Sequence, residues 1–208
     1  MSCSYLYGIK KDYIGEDLYY YDNSWLYSPI IWDVLADKYI PELIETPFGF
    51  KKSMISNGNE LLKPLNNKIN DCDSFSDRVC WEMSQQQIFF TKDKKEIASA
   101  IRNFVTDNKR YYIDEDDNIG ALEREHIIER FNEIANDIEN LDEEEYPYFV
   151  FKNTSVDGSV ESWFDKYDEE QGEYIPKSLK DCDTPLAEFV VIENDNIVNF
   201  ILNTKFDY

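Results

Sequence analysis

Four oxygen-bearing side chains come closest to a recognisable chemistry. Asp114, Asp116 and Asn118, with Glu125 eleven residues after Asp114, match positions 1, 3, 5 and 12 of a calcium-binding loop. That loop needs a glycine at position 6 for its sharp turn. Here Ile119 stands there and Gly120 comes one place late. The preceding Arg110-Tyr111-Tyr112-Ile113 reads as β rather than as an entering helix, so the segment reads as an acidic turn.

Other reactive residue types are equally isolated. His126 is the only histidine, and His126 with Glu129 does not make the paired-imidazole zinc signature. Cys3, Cys72, Cys80 and Cys182 form no C-x-x-C pair. Cys72 and Cys182 each sit in an Asp-Cys-Asp tripeptide, where neighbouring carboxylates disfavour the thiolate. The chain has no G-x-S-x-G elbow, no P-loop and no G-x-G-x-x-G cradle. Carboxylate pairs could serve a hydrolase, but among 43 Asp and Glu the sequence selects none. The expectation is a protein that is not an enzyme and uses no cofactor or metal, with a carboxylate-dependent hydrolase or metal-binding enzyme as an alternative.

Charge is the stronger signal. Residues 111–170 hold 20 Asp and Glu against 4 Lys and Arg, whereas residues 1–110 hold 16 against 14 and residues 171–208 hold 7 against 3. The acidic block therefore carries most of the net charge of −22. Its field repels nucleic acid and anionic membrane and attracts basic surfaces. Disorder does not follow, because acidic disordered chains are poor in aromatics and this one is 15% aromatic. The first residues, Met1 to Gly8, show no basic stretch leading into an apolar run, and no window is apolar enough to span a membrane. A cytoplasmic bacterial protein with reduced thiols is expected, in which the Asn153-Thr154-Ser155 sequon is never glycosylated.

The elements that must carry these groups read as α+β. Ser4–Ile9 and Leu18–Tyr21 predict an N-terminal hairpin, with Trp25–Trp32 as a third aromatic run interrupted by Pro29. Asp33 caps a short helix through Tyr39, and residues 49–64 read as loop with short structure. Asp73–Gln87 and Lys92–Thr106 predict helices separated by a short buried Ile88–Phe90. Leu122–Leu141 is the clearest helix, with Ile127, Phe131, Ile134, Ile138 and Leu141 spaced by three and four. Tyr148–Lys152 is β-prone, Val160–Tyr167 is short structure around Trp163, and Ala187–Ile192 with Ile197–Asn203 predict a C-terminal hairpin. The expected architecture is a single α+β domain over residues 1–208, its antiparallel sheet built from the two terminal hairpins and packed against several helices.

Much of the acid then lies on the solvent side of the 122–141 helix and just beyond it, and at the C-terminal end the helix macrodipole opposes it by about 0.3–1 kcal/mol per charge. This points to Glu125, Glu129, Glu133 and Asp137, together with Trp163, Asp165, Asp168 and Glu169, as a partner-binding surface. The expected function is an inhibitor of immunity type that occludes a basic protein, such as a nuclease toxin, without binding nucleic acid or membrane itself. The narrower alternative is a nucleic-acid mimic acting on restriction or CRISPR effectors.

Overall fold

The computed structural model describes residues 2–114, 118–153, 163–181, 188–194 and 196–202. Strands β1 (Cys3–Ile9) and β2 (Gly15–Asp22) form the N-terminal hairpin, and β9 (Glu188–Glu193) and β10 (Asn196–Leu202) form the C-terminal one. Between them lie β3 (Ile88–Phe90) and β6 (Tyr148–Lys152), giving a six-stranded sheet in the order β10-β9-β3-β6-β1-β2. Every neighbouring pair is antiparallel except β3 with β9, which makes the sheet mixed. The fold is α+β, as the pattern of strands and helices in the sequence implies.

Alternation along the strands sends side chains to two separate cores. Leu6, Phe89, Phe149, Phe151, Val190 and Ile192 face the helices. Tyr7, Ile9, Ile88, Val150 and Phe189 face the other way, where Trp163, Phe164 and Leu179 cover them. Strands buried on both faces lose the polar-out alternation, which is why β1 and β6 read as continuous apolar runs.

Five longer helices line the first face: α1 (Ser28–Tyr39), α3 (Met54–Asn70), α4 (Phe75–Ser84), α5 (Lys94–Asp107) and α6 (Glu125–Glu139), with the single turn α2 (Pro41–Ile44) after α1. The amphipathic stripes of α5 and α6 fall where their spacing puts them, with Ile97, Ile101, Phe104, Ile127, Phe131, Ile134 and Ile138 all buried. Three readings differ from expectation. Asp33 does not cap a helix; it lies inside α1, whose N-cap is Tyr27, and its carboxylate turns to the start of α3. Pro29 does not interrupt a strand; it sits in the first turn of α1, where its missing N–H has no helical partner to lose. Residues 54–70 are helix, not loop. Pro64, Gly58 and five asparagines argue locally against it, but Leu61, Leu65 and Ile69 form one buried stripe, and tertiary burial overrides propensity.

Carboxylates hold the helical layer together. Asp77 on α4 is fully buried and accepts hydrogen bonds from Lys38 Nζ, from Tyr39 Oη at 2.6 Å and from Asn108 Nδ2 at 2.8 Å, while Lys38 also donates to Asn108 Oδ1 at 2.8 Å. One cluster thus ties the end of α1 to α4 and to the C-cap of α5. Asp33 accepts from Met54 N at 3.0 Å and starts α3, and Asp37 accepts from Tyr112 N at 2.8 Å and pairs with Lys51 at 3.0 Å. Removing one partner of a buried charge pair leaves the other unsolvated. Asp77→Ala is therefore expected to lower unfolding free energy by about 3 kcal/mol or more, against less than about 1 kcal/mol for Glu60→Ala, which breaks the surface pair with Lys52. Urea titrations of the two variants check this.

Candidate partner-binding surface

α6 lies on the helical face of the sheet and is docked through Phe131, which stacks on Phe104 and packs on Tyr27. Its outward residues differ in their freedom. Glu125 and Glu129 are exposed. Glu133 is exposed too but pairs with Arg130 Nε at 2.9 Å. Asp137 is half-buried and accepts the Tyr21 hydroxyl at 2.9 Å, so it fastens α6 to β2 instead of facing a partner. Burial pushes the Asp137 carboxyl up from its ordinary range, the Tyr21 bond opposes this, and the nearby charge of Glu133 adds to it. Glu139 is held by Arg102 at 2.7 Å. Beyond the helix Asp142 accepts the N–H of Glu144 at 2.9 Å, leaving Glu143, Glu144 and Glu145 exposed.

The second half of the expected surface lies on the opposite face of the sheet. Trp163 is 2% exposed and packs edge-on against Phe164, so it is core and not a contact residue. Phe164 stacks on Tyr7 and covers Gly15, where a Cβ would come within 2.5 Å of the ring. From this anchor the chain runs into a two-stranded hairpin, β7 (Asp165–Asp168) and β8 (Glu173–Pro176). Asp168 is half-buried and closes its turn, accepting from Glu170 N at 2.9 Å, Gln171 N at 3.1 Å and Gln171 Nε2 at 3.0 Å. These backbone bonds hold its carboxyl below the usual range. Asp165, Glu169, Glu170 and Glu173 are exposed. The exposed aromatics are Tyr167 and Tyr174, packed edge-to-face at 5.3 Å across the hairpin. Alternation in Tyr174–Ile175 is a two-residue signal, too short to reveal that pair beforehand.

The two halves meet at the sheet edge. β2 is the outermost strand, and it carries Glu16, Asp17 and Asp22. On the helical side Arg130 donates to the Asp22 carbonyl and its guanidinium sits 5.5 Å from the Tyr21 ring. On the other side partial desolvation pushes the Asp165 carboxyl up, the negative charge of Asp17 adds to that rise, and Lys177 opposes it. Charges on an exposed edge also block strand addition by a second chain. The acidic surface is thus a band running from α6 over the β2 edge to the β7–β8 hairpin.

The other candidates resolve differently. Ile113–Asp114 (β4) pairs with Ile119–Gly120 (β5), so this stretch is a hairpin and not a twelve-residue helix-flanked loop. Asp116 lies outside the described residues. Among the described residues no three His, Cys, Asp or Glu side chains converge as metal ligands. Cys3, Cys72 and Cys80 are free thiols, and burial pushes Cys80 well above the ordinary range. Cys182 lies outside the described residues, as do Thr154 and Ser155 of the sequon. No helix of the described residues is long and apolar enough to cross a membrane. Compared with known proteins, the chain matches no family model, no curated protein and no solved structure.

A carboxylate whose folded pKa lies above its unfolded value adds stability in its protonated form, and that contribution is lost as pH rises through the folded pKa. Asp137→Asn keeps an acceptor for Tyr21 without the charge. The variant is expected to match or exceed the wild-type melting temperature at pH 7, with the difference closing as pH falls toward 4, near the ordinary aspartate value of about 3.9. Thermal melts across that range test the sign.

Proposed function

We propose that this chain is an acidic binding protein that occludes a basic protein surface, in the manner of an immunity-type inhibitor of a nuclease toxin. The observation that carries the reading is the placement of exposed carboxylates on both sides of the β2 edge, Glu125 and Glu129 on α6 and Asp165, Glu169, Glu170 and Glu173 on the hairpin. Nuclease sites are positive because they hold a phosphate backbone, and a band of this sign both steers the encounter and competes for the site. Tyr167 and Tyr174 supply amphipathic rings of the kind that anchor interfaces and stack on arginine. A narrower form, nucleic-acid mimicry of a restriction or CRISPR effector, is favoured by the spacing of Glu125, Glu129 and Glu133, which advance about 6 Å per step along one side of α6.

A tagged chain used to capture partners from the source lysate, eluted with a salt gradient, is expected to release a basic protein near one-to-one stoichiometry. Charge reversal at Glu129 and Glu133, and separately at Glu169, Glu170 and Glu173, should each slow association by about tenfold or more at low salt and flatten its salt dependence. Circular dichroism should stay unchanged. Loss with only one set confines the partner to that side of the edge, and binding unaffected by either set would overturn the reading.

A further inference from the structure

The β7–β8 hairpin stands off the domain. Its strands pair only with each other, outside the six-stranded sheet. Of their eight residues Asp168 and Ile175 are half-buried and the other six are exposed. A two-stranded ribbon with so little cover is marginal in water, and this one is braced at both ends. At its base Lys177 N donates to the Phe164 carbonyl, and Phe164 belongs to the core. At its tip Gly172 N donates to the Asp168 carbonyl at 2.8 Å, with Gly172 at φ +73°, a conformation that side chains resist.

The register sorts the ribbon's side chains. Asp165 pairs with Pro176 and Tyr167 with Tyr174, so these four share one face, while Lys166, Asp168, Glu173 and Ile175 take the other. Both half-buried residues belong to the second face, which is therefore the one turned to the domain. The tyrosine face points to solvent, with Tyr167 55% and Tyr174 73% exposed. The two rings meet at 65° between planes. Edge-to-face contact uses one edge and one face, and it leaves the remaining ring faces open. Bracing alone would be served as well by a β-branched pair, which would expose no ring.

One charge shares the tyrosine face. Asp165 lies two residues before Tyr167, about 7 Å along the strand, and the ribbon's Lys166 is on the opposite face. A second carboxylate stands near its base. The β1–β2 register sets Asp17 opposite Tyr7, the residue on which Phe164 stacks. Asp17 and Asp165 are both exposed and within electrostatic reach of each other, with Lys177 partly offsetting them. An arginine suits this arrangement better than a lysine. Its planar guanidinium stacks on a ring while its N–H fork turns to a carboxylate, whereas an ammonium is a compact, strongly hydrated point charge. A ring beside an anion is also what a nucleotide presents to arginine, as base face and phosphate.

We infer that the tyrosine face of the hairpin reads arginine: a guanidinium of the basic partner stacks on Tyr167 or Tyr174 and pairs with Asp165. The inference rests on the acidic-band reading and adds a side-chain preference to it. Exposed carboxylates attract any cation, whereas the rings select among cations.

Nona-arginine and nona-lysine peptides carry the same side-chain charge and separate these two effects. Calorimetric titration of the full chain is expected to show both peptides binding and both weakening as salt rises. At about 0.15 M salt the arginine peptide should bind about tenfold tighter. Tyr167→Val with Tyr174→Val keeps the strand preference of the ribbon. It should cut the arginine preference to about twofold or less and leave the affinity and salt slope of the lysine peptide unchanged. Tyr167→Phe with Tyr174→Phe keeps the ring faces and should retain the preference. Equal affinity for the two peptides would leave the acidic-band reading standing and overturn the arginine site, as would a preference that survives the valine variant. A preference lost in the phenylalanine variant too would trace it to something other than the ring faces and overturn the site as well. Binding of neither peptide overturns the site and the acidic-band reading together.

Discussion

Burying Asp77 obliges three helices to meet at one point. Its carboxylate needs donors on both oxygens, and Lys38, Tyr39 and Asn108 supply them from the end of α1 and the cap of α5. A buried charge is tolerated only when it is paired and hydrogen-bonded, so any displacement of one helix exposes the requirement on the other two. α6 packs on α5 and inherits that placement. The acidic ridge is therefore positioned from inside the molecule, by a carboxylate that never reaches solvent.

The same residue type does two jobs, separated by what faces it. Asp33 and Asp37 start α3 and fix the 108–112 turn, Glu123 accepts from Gly120 N, Asp137 fastens α6 to the sheet and Asp168 closes the β7–β8 turn. Each of these has a donor within reach. Glu125, Glu129, Glu143, Glu144 and Glu169 face water. Self-repulsion of so many like charges destabilises the compact state. The internal carboxylates offset part of this, because each draws its charge into hydrogen bonds, and those of Asp33, Asp37 and Asp137 join elements far apart in sequence.

Periodicity made α5, α6 and both terminal hairpins readable in advance, since each buries one continuous stripe or alternates over several residues. The rest depends on contacts that no local window contains. α3 is helical because Leu61, Leu65 and Ile69 reach the core, against the preference of Gly58 and Pro64. Trp163 reads equally well as interface or core, and only the cover it gives to Tyr7, Ile9 and Val150 decides. Asp137 and Glu129 are indistinguishable by charge, and the Tyr21 hydroxyl separates them. The β2 edge was invisible as a candidate surface because Asp17 and Asp165 are brought together by the packing of Phe164 on Tyr7 and Gly15 and not by sequence.

That edge changes what an acidic block can do. Had the carboxylates stayed on one helix, a partner would meet a narrow ridge and be steered without being oriented. Placing α6 on one face of the sheet and the β7–β8 hairpin on the other, with β2 between them, spreads the charge around a corner. A flat basic surface can engage only one flank of such a corner, whereas a concave one engages both flanks and the edge together. On the proposed reading, shape would select among basic partners that charge alone would attract equally, because the extra carboxylates count only for a cleft wide enough to admit the edge. An active-site cleft that normally grips a nucleic-acid backbone has that form.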